Sequence, residues 1–460
     1  MHNWTGKRVL IIGAARQGIA TARHLIRQGA EVTLNDRRSV GELQAAREAL
    51  ADLPARWITD EHPLSLIDSA DLVCVSGGVP LTLPLIEAAR QRGLPLTNDS
   101  QIFMDAVTCP VVGITGSAGK TTTTALVGRM AEFAVQAPRR VWVGGNIGVP
   151  LIDRVEEISP ADLVILEFSS FQLELMTSSP NIAAVLNVTP NHLDRHLSFE
   201  AYLAAKTRIL TFQGAEDIAV LGADDPAAWG LAPQVRGRLI SFSIHRPPLS
   251  QTGVYTRHGM VCLQERGSEQ SLFPVGRIHL RGDHNRLNVL AACAIAHAAG
   301  LTPEAMQKAV DSFEGVPHRL EYIRSWKGAD WYNDSIATAP ERTLAAIRAF
   351  DQPLVLLLGG RDKDLPWEGL ADMIRQRVDH VIAFGECAAK IVSTIGALHP
   401  GMRPYTLERC DGLQQAVQAA AQVTSEGDVV LLSPGGTSYD EFLDFEERGK
   451  RFREWVHELS

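Results

Sequence analysis

The chain has 460 residues, too many for a single hydrophobic core, and this length favours about three domains of ~150 residues each. With 45% apolar and 21% charged residues, its composition is typical of a folded, water-soluble protein. A net charge of −9 argues against broad, sequence-independent binding to nucleic acid, which depends on Lys and Arg neutralising phosphates.

The cysteines and the apolar segments indicate the compartment. Six cysteines are scattered along the chain without a C-x-x-C pair, which favours a reduced chain with no structural zinc site. The apolar run near the N-terminus is far shorter than a secretory or membrane segment, and no later run reaches ~18 residues. We therefore expect a cytoplasmic protein with no membrane partner.

The first predicted domain, residues 1–108, opens as an α/β unit. The strand "KRVLIIG", a turn, a helix and the strand "AEVTLND" follow one another, and "ADLVCVSGGVP" and "GLPLTND" add further strands. Gly13 and Gly18 keep the outer spacing of a dinucleotide fingerprint, but Ala15 replaces its middle glycine. The incomplete fingerprint gives a nicotinamide cofactor little support, so a dehydrogenase is a weak alternative.

The second predicted domain, residues 109–316, begins with the glycine-rich stretch "GITGSAGKTTTT" between an apolar strand and a segment of helical spacing. Ile114 stands where the strict G-x-x-x-x-G-K pattern has its first glycine. The chemistry survives this departure, because Gly116 and Gly119 allow backbone N–H groups to face phosphate oxygens. Lys120 adds charge and Thr121 offers a hydroxyl to Mg²⁺. The stretch therefore predicts a nucleotide-phosphate site.

Further candidates follow the next strands. Glu167 ends the apolar run "LVILE", at the strand end where α/β sites form, and is the natural carboxylate for Mg²⁺. His192 and Asp194 lie in "NVTPNHLDRH", and Lys206 lies in the helical stretch "AYLAAKTRIL". Taken singly, these three have ordinary interpretations as a loop histidine, a capping aspartate and a surface lysine. Residues 212–280 then form a more polar stretch that we expect to be irregular.

The third predicted domain covers residues 317–460. It is preceded by "LRGDHNRLNVLAACAIAHAAG", which predicts a buried helix with His284 and Asn285 near its start, and by "EGVPHRLE", a predicted hinge. The stretches "ADWYNDS", "PLVLLLGG", "HVIAFG" and "DVVLLSPG" predict four strands alternating with helices.

The motifs "GITGSAGKTT", "LEFSSFQLE", "NVTPNHLDRH", "AYLAAKTRI", "HNRLNVLAA", "GVPHRLE", "NDS" and "LLSPGGTSYDEF" occur in one order that resembles the Mur ligase family. These ATP-dependent enzymes build the peptide of bacterial peptidoglycan. "EFSSFQLE" and the C-terminal motif are similar to those of members that add D-glutamate to UDP-N-acetylmuramoyl-L-alanine. The resemblance implies an α/β fold with a Rossmann-like N-terminal domain, a central P-loop ATPase-type domain and a C-terminal Rossmann-like domain.

The resemblance also implies a reaction through an acyl phosphate, with ATP and two Mg²⁺ ions. Catalytic roles fall on Lys120, His192 and Lys206, and the metal ligands are Thr121, Glu167, His192 and a carbamylated Lys206. Carbamylation turns the ammonium group into an anionic oxygen ligand. The implied ATP-binding residues are Gly116, Ser117, Ala118, Gly119, Lys120, Thr121, Thr122, Asn285, Arg319 and Asp334.

The implied substrate-binding residues lie in all three domains. Arg16, Gln17, Asp36, Arg37, Gly77 and Gly78 would meet the UDP group, and Asn146, Ser169, Ser170 and Gln172 would face the muramoyl-alanine arm. Lys363, Ser438 and Phe445 would hold the incoming glutamate, and Thr338 completes the set. The resemblance further implies a monomer.

Two departures from the family pattern leave alternatives open. Ala118 stands where many relatives carry Asn, which leaves the phosphate cradle intact. Ile336 stands where many members of this group have lysine, so a variant that takes L-glutamate is an alternative. More remote alternatives are a ligase similar to folylpolyglutamate synthase and a nucleotide-binding protein without catalysis.

Overall fold

In the computed structural model, residues 3–146, 148–190, 193–280, 282–363 and 365–460 are described. Three β-sheets alternate with helices along this part of the chain, so the predicted α/β class is confirmed. Contacts group the chain into two compact units. Unit 1 comprises residues 1–279 and 283–313, and unit 2 comprises residues 280–282 and 314–460.

The first sheet of unit 1 is entirely parallel. Its elements are β1 (Arg8–Ile12), α1 (Arg16–Arg27), β2 (Glu31–Asn35), α2 (Gln44–Glu48), β3 (Arg56–Ile58), β4 (Leu72–Val75), α3 (Pro84–Gln91), β5 (Leu96–Thr97) and α4 (Asp99–Ala106). The strand order is β3-β2-β1-β4-β5, as in Rossmann-type sheets. The order reverses between β1 and β4, which places a crevice at their carboxyl ends.

The second sheet of unit 1 has nine strands. It is built from β6 (Val111–Thr115), α5 (Lys120–Ala134), β7 (Val141–Gly145), β8 (Leu163–Glu167), α6 (Ser170–Leu173), β9 (Ile182–Val185), α7 (Leu193–His196), α8 (Phe199–Thr211), β10 (Ile218–Gly222), α9 (Pro226–Trp229), β11 (Arg238–Ser243), β12 (Thr252–Arg257), β13 (Met260–Glu265), β14 (Ser268–Pro274), α10 (Asp283–Ala298) and α11 (Pro303–Ser312). The order is β14-β13-β12-β11-β10-β9-β6-β8-β7, and only the β12-β13-β14 pairs are antiparallel.

The expectation that residues 212–280 are irregular is wrong, because five strands, β10 to β14, lie there. The polar character of this stretch comes from turns and from strands at one edge of the sheet. Strand β14, for example, has four exposed residues before its two buried ones. An edge strand with one solvated side carries a weak apolar pattern.

The two sheets of unit 1 are joined by direct hydrogen bonds. Arg23 in α1 pairs with Asp153, which lies in the short 3-10 helix Leu151–Glu157 (Nη1 to Oδ2, 2.5 Å), and Gln28 donates to Glu156 (2.7 Å). The Asn98 amide donates to the Gln172 carbonyl (2.6 Å). These contacts fix the crevice of the first sheet relative to the loop that follows β6.

Unit 2 contains the third sheet. Its elements are β15 (Glu321–Trp326), β16 (Ala329–Asn333), α12 (Pro340–Ile347), β17 (Leu354–Gly359), α13 (Glu368–Arg377), β18 (His380–Phe384), α14 (Ala388–Ile395), β19 (Thr406–Cys410), α15 (Leu413–Val423), β20 (Val429–Gly435) and α16 (Phe445–Glu458). The order is β15-β16-β20-β17-β18-β19, with β15 antiparallel to β16. The four predicted strands are present, and the two that the sequence did not reveal are the partly exposed edge strands β15 and β19.

None of the helices that the structure describes combines the length and the apolar character needed to cross a bilayer.

Candidate functional site

The glycine-rich loop joins β6 to α5, as predicted. Gly119 is the residue before α5 and has φ +80°, and a Cβ there would lie 2.1 Å from Oδ1 of Asn288. Only glycine fits this backbone and this approach. Asn288 in α10 also donates to Oδ1 of Asn285 (3.0 Å), which brings that predicted ATP residue to the loop.

Asn187, which follows β9, holds the far side of the loop. Its Oδ1 accepts from the Ala118 N–H (2.8 Å), and its Nδ2 donates to the Ala118 carbonyl (3.1 Å). The Ser117 hydroxyl donates to the Thr189 carbonyl (3.0 Å) and contacts the Tyr202 hydroxyl (3.0 Å). Asn187 and Tyr202 were not predicted, because nothing in the sequence pairs a distant amide or hydroxyl with a loop.

A buried carboxylate lies beside the start of α5. Glu167, 2% exposed, accepts from the Thr121 hydroxyl (2.8 Å) and from the Asn146 amide (3.1 Å). Three oxygen-bearing side chains from β8, α5 and the segment after β7 therefore meet at one place. Hard oxygen donors suit Mg²⁺, which also takes water and phosphate oxygens. In the part of the chain that the structure describes, no three His, Cys, Asp or Glu side chains cluster as a complete metal cage.

Lys206 is a buried lysine in α8. It is 1% exposed, and its Nζ donates to the Gly116 carbonyl (2.9 Å) and to the Thr115 hydroxyl (3.3 Å). Lys120 donates to the same Gly116 carbonyl (3.0 Å). Burial and the nearby Lys120 lower the pKa of Lys206 to about 7, against the opposing effect of Glu167. Desolvation therefore favours the neutral amine of Lys206, the form that reacts with CO₂.

His192 lies outside the described residues, but the helix that follows it is anchored. His196, at the end of α7, is within 2.9 Å of the Ser170 hydroxyl through Nε2 and lies 3.4 Å from Glu174 through Nδ1. Its ring stacks on Phe171 with the centroids 5.2 Å apart. His196 thus joins the segment after β9 to α6.

Ser169 and Gln172 form a capping box at α6. The Gln172 N–H donates to Ser169 Oγ (3.2 Å), while Gln172 Oε1 accepts from the Ser169 N–H and hydroxyl (both 2.9 Å). A Cβ at Gly77, after β4, would lie 3.8 Å from the Gln172 side chain. Residues predicted for the UDP group and for the muramoyl-alanine arm therefore meet.

Asp36 follows β2, next to the crevice of the first sheet. Its carboxylate accepts from the Ala14 N–H (2.8 Å) and from the N–H and guanidinium of Arg38 (2.8–3.0 Å). Burial alone would raise the pKa of Asp36, but these hydrogen bonds outweigh it and hold the pKa at about 2. The partner of Asp36 is Arg38, whereas Arg37 is exposed.

Three more predicted UDP residues border the same crevice. Arg16 is exposed in the first turn of α1, and Gln17 donates to the Gly145 carbonyl (3.0 Å). Gly78 is exposed after β4, and its carbonyl accepts from Arg195 (3.5 Å).

Unit 2 carries the remaining predicted ATP residues. Asp334 follows β16, is 5% exposed, and accepts from the Ser433 hydroxyl (2.8 Å) and the Leu320 N–H (3.2 Å). Burial raises the pKa of Asp334 to about 7, although these two hydrogen bonds and, to a smaller extent, the charges of Arg319 and Arg342 oppose the rise. The buried Nε of Arg319 has no hydrogen-bond partner among the described residues. A donor of this kind is suited to an anionic ligand.

The residues predicted for the amino acid lie after neighbouring strands of the third sheet. Thr338 follows β16 and is partly buried, Lys363 follows β17 and is exposed, and Ser438 follows β20 and is 2% exposed. Phe445 begins α16, and its ring meets His318 edge-on at 6.3 Å. Because β16, β20 and β17 are adjacent and parallel, the loops that follow them lie together at the carboxyl ends of these strands.

Three family models match the chain in sequence order. A Mur ligase MurD-like N-terminal domain matches residues 7–98, a Mur ligase middle domain matches residues 114–296, and a Mur ligase glutamate ligase domain matches residues 318–436.

Full-length relatives are similar to the chain. The UDP-N-acetylmuramoylalanine--D-glutamate ligase of Symbiobacterium thermophilum is 39% identical over 454 residues, covering 99% of this chain and 98% of its own. The enzyme of that name from Anaeromyxobacter dehalogenans is 40% identical over 467 residues, with the same coverage.

Solved structures share the fold. UDP-N-acetylmuramate-alanine ligase from Thermotoga maritima matches with a TM-score of 0.58 and 19% identity over 98% of this chain and 99% of its own. The MurF ligase of the same organism, solved in complex with ADP, matches with a TM-score of 0.56 and 17% identity over the whole of both chains. At these identities the likeness establishes the fold alone.

Proposed function

The chain belongs to the Mur ligase family, and on that premise we propose that it joins D-glutamate to the alanyl carboxylate of UDP-N-acetylmuramoyl-L-alanine in an ATP-dependent step of peptidoglycan precursor synthesis. The observation that carries the proposal is the 39–40% identity to D-glutamate ligases over nearly the full length of both chains. We further propose that the protein acts in the cytoplasm as a monomer.

The chemistry starts from an unreactive carboxylate. An oxygen of the alanyl carboxylate attacks the γ-phosphorus of ATP, the bond to the β-phosphate oxygen breaks, and ADP leaves. The amine of glutamate then attacks the acyl phosphate carbon, loses a proton, and expels inorganic phosphate from a tetrahedral intermediate. Catalysis of this kind rests on positioning and on neutralising charge.

Residues of unit 1 fit the phosphoryl transfer. The N–H groups of Gly116 and Gly119, together with Lys120, would hold the β- and γ-phosphates at the start of α5, while Asn187 accepts from the N–H groups of Ser117 and Ala118 and fixes the loop. The Thr121 hydroxyl and the Glu167 carboxylate, whose Oγ1 and Oε2 atoms are 2.8 Å apart, would hold one Mg²⁺. When bound, this ion would neutralise charge during the transfer. Lys206 fits a second ion after carbamylation, since its buried Nζ lies against Thr115 and Gly116 of the phosphate loop, where desolvation favours the neutral amine.

The Rossmann-type sheet serves the nucleotide precursor. Arg16, Gln17 and the Gly77-Gly78 turn border the crevice where the strand order reverses, so we assign the UDP group to that place. The acceptor positions of Asp36 are already taken by Ala14 and Arg38, so we assign Asp36 the role of orienting these two residues.

A phosphate-release assay tests the proposed function. ATP, Mg²⁺ and UDP-N-acetylmuramoyl-L-alanine are incubated with the protein, and D-glutamate or L-glutamate is added in parallel. We expect release that depends on D-glutamate and a product whose mass corresponds to one added glutamate. If neither D-glutamate nor L-glutamate causes phosphate release, the ligase function is overturned.

One observation favours L-glutamate as a second candidate. Ile336 presents an apolar side chain in the loop after β16, and its carbonyl accepts from Arg342 (3.1 Å). The cation that contacts this position is therefore a guanidinium on α12, and position 336 itself supplies no lysine ammonium. Faster release with L-glutamate in the same assay would select this candidate and leave the acyl-phosphate chemistry unchanged.

A further inference from the structure

Helix α16 contains a buried cation. Arg448, Gly449, Phe452 and Val456 form its buried face at helical spacing, and Arg448 is 0% exposed. An apolar residue is expected at such a position, because a buried charge is unfavourable unless it is paired or hydrogen-bonded.

Among the residues that the structure describes, the hydrogen-bond acceptors of Arg448 are all neutral. Its Nε donates to Ser335 Oγ (3.0 Å), Nη2 donates to the Ser335 carbonyl (2.8 Å), and Nη1 donates to the Gly436 carbonyl (3.2 Å). No carboxylate among the described residues forms an ion pair with it, and Asp440 and Glu441 act only at longer range. Burial lowers the pKa of Arg448 to about 10, so the group remains a cation at neutral pH.

The guanidinium contacts the loops after three adjacent strands. Ser335 follows β16, Gly436 follows β20, and a Cβ at Gly360, just after β17, would lie 2.9 Å from Nη1. Ser335 also donates to the carbonyl of Phe445 (2.8 Å). Ligands of open α/β sheets bind at the carboxyl ends of such strands.

These loops carry the residues assigned to the amino acid. Thr338, Lys363 and Ser438 lie after β16, β17 and β20, and Phe445 lies one turn before Arg448. The charge of Arg448 also acts on Lys363: this side chain is exposed in part, and the partial desolvation that remains, together with the charges of Arg342 and Arg448, lowers its pKa. A cation that fixes the positions of these three loops and adds positive charge is suited to a site for a ligand with two carboxylates.

We propose that Arg448 is a positioning and specificity residue for the incoming amino acid. It fixes the loops after β16, β20 and β17 relative to one another, and it supplies positive charge that favours a dicarboxylate. This charge matters because position 336 carries no cation in this chain. This inference rests on the proposed function.

The test compares Arg448→Met and Arg448→Lys with Arg451→Met. Arg451 lies on the same helix, but it is exposed and pairs with Glu454, so its loss is the matched control. For each variant, KM is measured for ATP, for UDP-N-acetylmuramoyl-L-alanine and for the glutamate isomer that the wild type prefers. The kcat/KM ratio of that glutamate to the corresponding glutamine, whose side chain ends in a neutral amide, is also measured.

We expect Arg448→Met to raise KM for glutamate about tenfold or more and to lower the preference for glutamate over glutamine by a similar factor. KM for the nucleotide precursor should change less than about twofold, because its assigned residues lie in unit 1, and KM for ATP, which also involves Arg319 and Asp334 of unit 2, should change less than KM for glutamate. Arg448→Lys should recover part of the preference, since it keeps the charge but not the planar fork.

An unchanged preference in Arg448→Met, or equal increases in all three KM values, would overturn the inference. If Arg448→Met does not fold, as judged by circular dichroism, Arg448→Lys decides by the same ratio. A wild type that releases no phosphate with glutamate would instead overturn the proposed function, so the two failures are distinguishable.

Discussion

At Lys206 the fold keeps an ionisable group where water does not reach. The side chain is 1% exposed, lies near Lys120 and donates to uncharged oxygens. A lysine in such a place is poorly suited to act as a simple cation, because desolvation favours the neutral amine. Its position beside the phosphate loop fits a modified lysine that has become anionic.

We expect Lys206→Ala to lower ligation by roughly 100-fold, the scale of losing a group that supports a metal site. Short carboxylic acids such as acetate should restore part of the activity, because they can occupy the space left by the side chain and present an anionic oxygen. Phosphate release is measured with and without the acid, and Lys308→Ala, an exposed helix position, is the control. Full activity without acid would remove Lys206 from the mechanism.

Asp36 stabilises the folded state through the ionised form of its carboxylate. Because its pKa is about 2 in the folded state and about 3.8 in the unfolded chain, folding stabilises the ionised carboxylate. The stabilisation is therefore complete above about pH 4 and is lost as the pH falls towards 2.

We expect Asp36→Asn to lower the free energy of unfolding by about 2 kcal/mol at pH 7. The difference from the wild type should be equal at pH 7 and pH 5 and smaller at pH 3. Thermal unfolding at the three pH values measures it. Asp68→Asn, in an ion pair whose side chains are both more than half exposed, should cost less than about 0.5 kcal/mol.

These residues mark the limit of prediction from sequence. The types at the phosphate loop follow from the chemistry of phosphate, so Lys120, Thr121 and Glu167 could be predicted. The hydrogen-bond and ion-pair partners of the predicted residues could not be predicted, because they depend on the folded structure. Asp36, for example, pairs with Arg38 and not with Arg37. Arg448 was missed because a charged residue in a polar helix is usually solvated.

At the scale of elements, helix ends and strand ends position the site. Buried strands such as β6 and β8 were predictable because both faces are apolar, but β10 and β11, which are also largely buried, were missed. The edge strands β14, β15 and β19 were not, because exposed residues interrupt their apolar pattern. Helix α6 has only four residues, so its start at Ser169 depends on the capping box rather than on length.

We expect Ser169→Ala to raise KM for the nucleotide precursor severalfold, because Gln172 loses the hydroxyl that fixes it, and to destabilise unit 1 by about 1 kcal/mol. Thr302→Ala removes the N-cap of α11 and is the matched control. It should lower the melting temperature by a similar amount and leave KM unchanged. Equal effects of both variants on KM would show that the Ser169 hydroxyl has no special role at the substrate.

At the scale of the molecule, the three sheets do not make three independent units. The sequence favours boundaries near residues 108 and 316, and the three family models follow the same order. Yet the first two sheets lie in one compact unit, joined by Arg23-Asp153, Gln28-Glu156 and Asn98-Gln172. Such pairings between distant segments leave no mark on the sequence.

We therefore expect calorimetry of the full chain to show two unfolding transitions rather than three. The enthalpy of unfolding scales with the number of residues, so the transition of unit 1, which holds about two thirds of the chain, should carry about two thirds of the total. UDP alone should raise the melting temperature of that larger transition, because a ligand stabilises the unit that binds it. The smaller transition should stay in place, since no residue of unit 2 is assigned to the UDP group. Three transitions, with UDP shifting only the smallest, would show that the Rossmann-type sheet unfolds on its own.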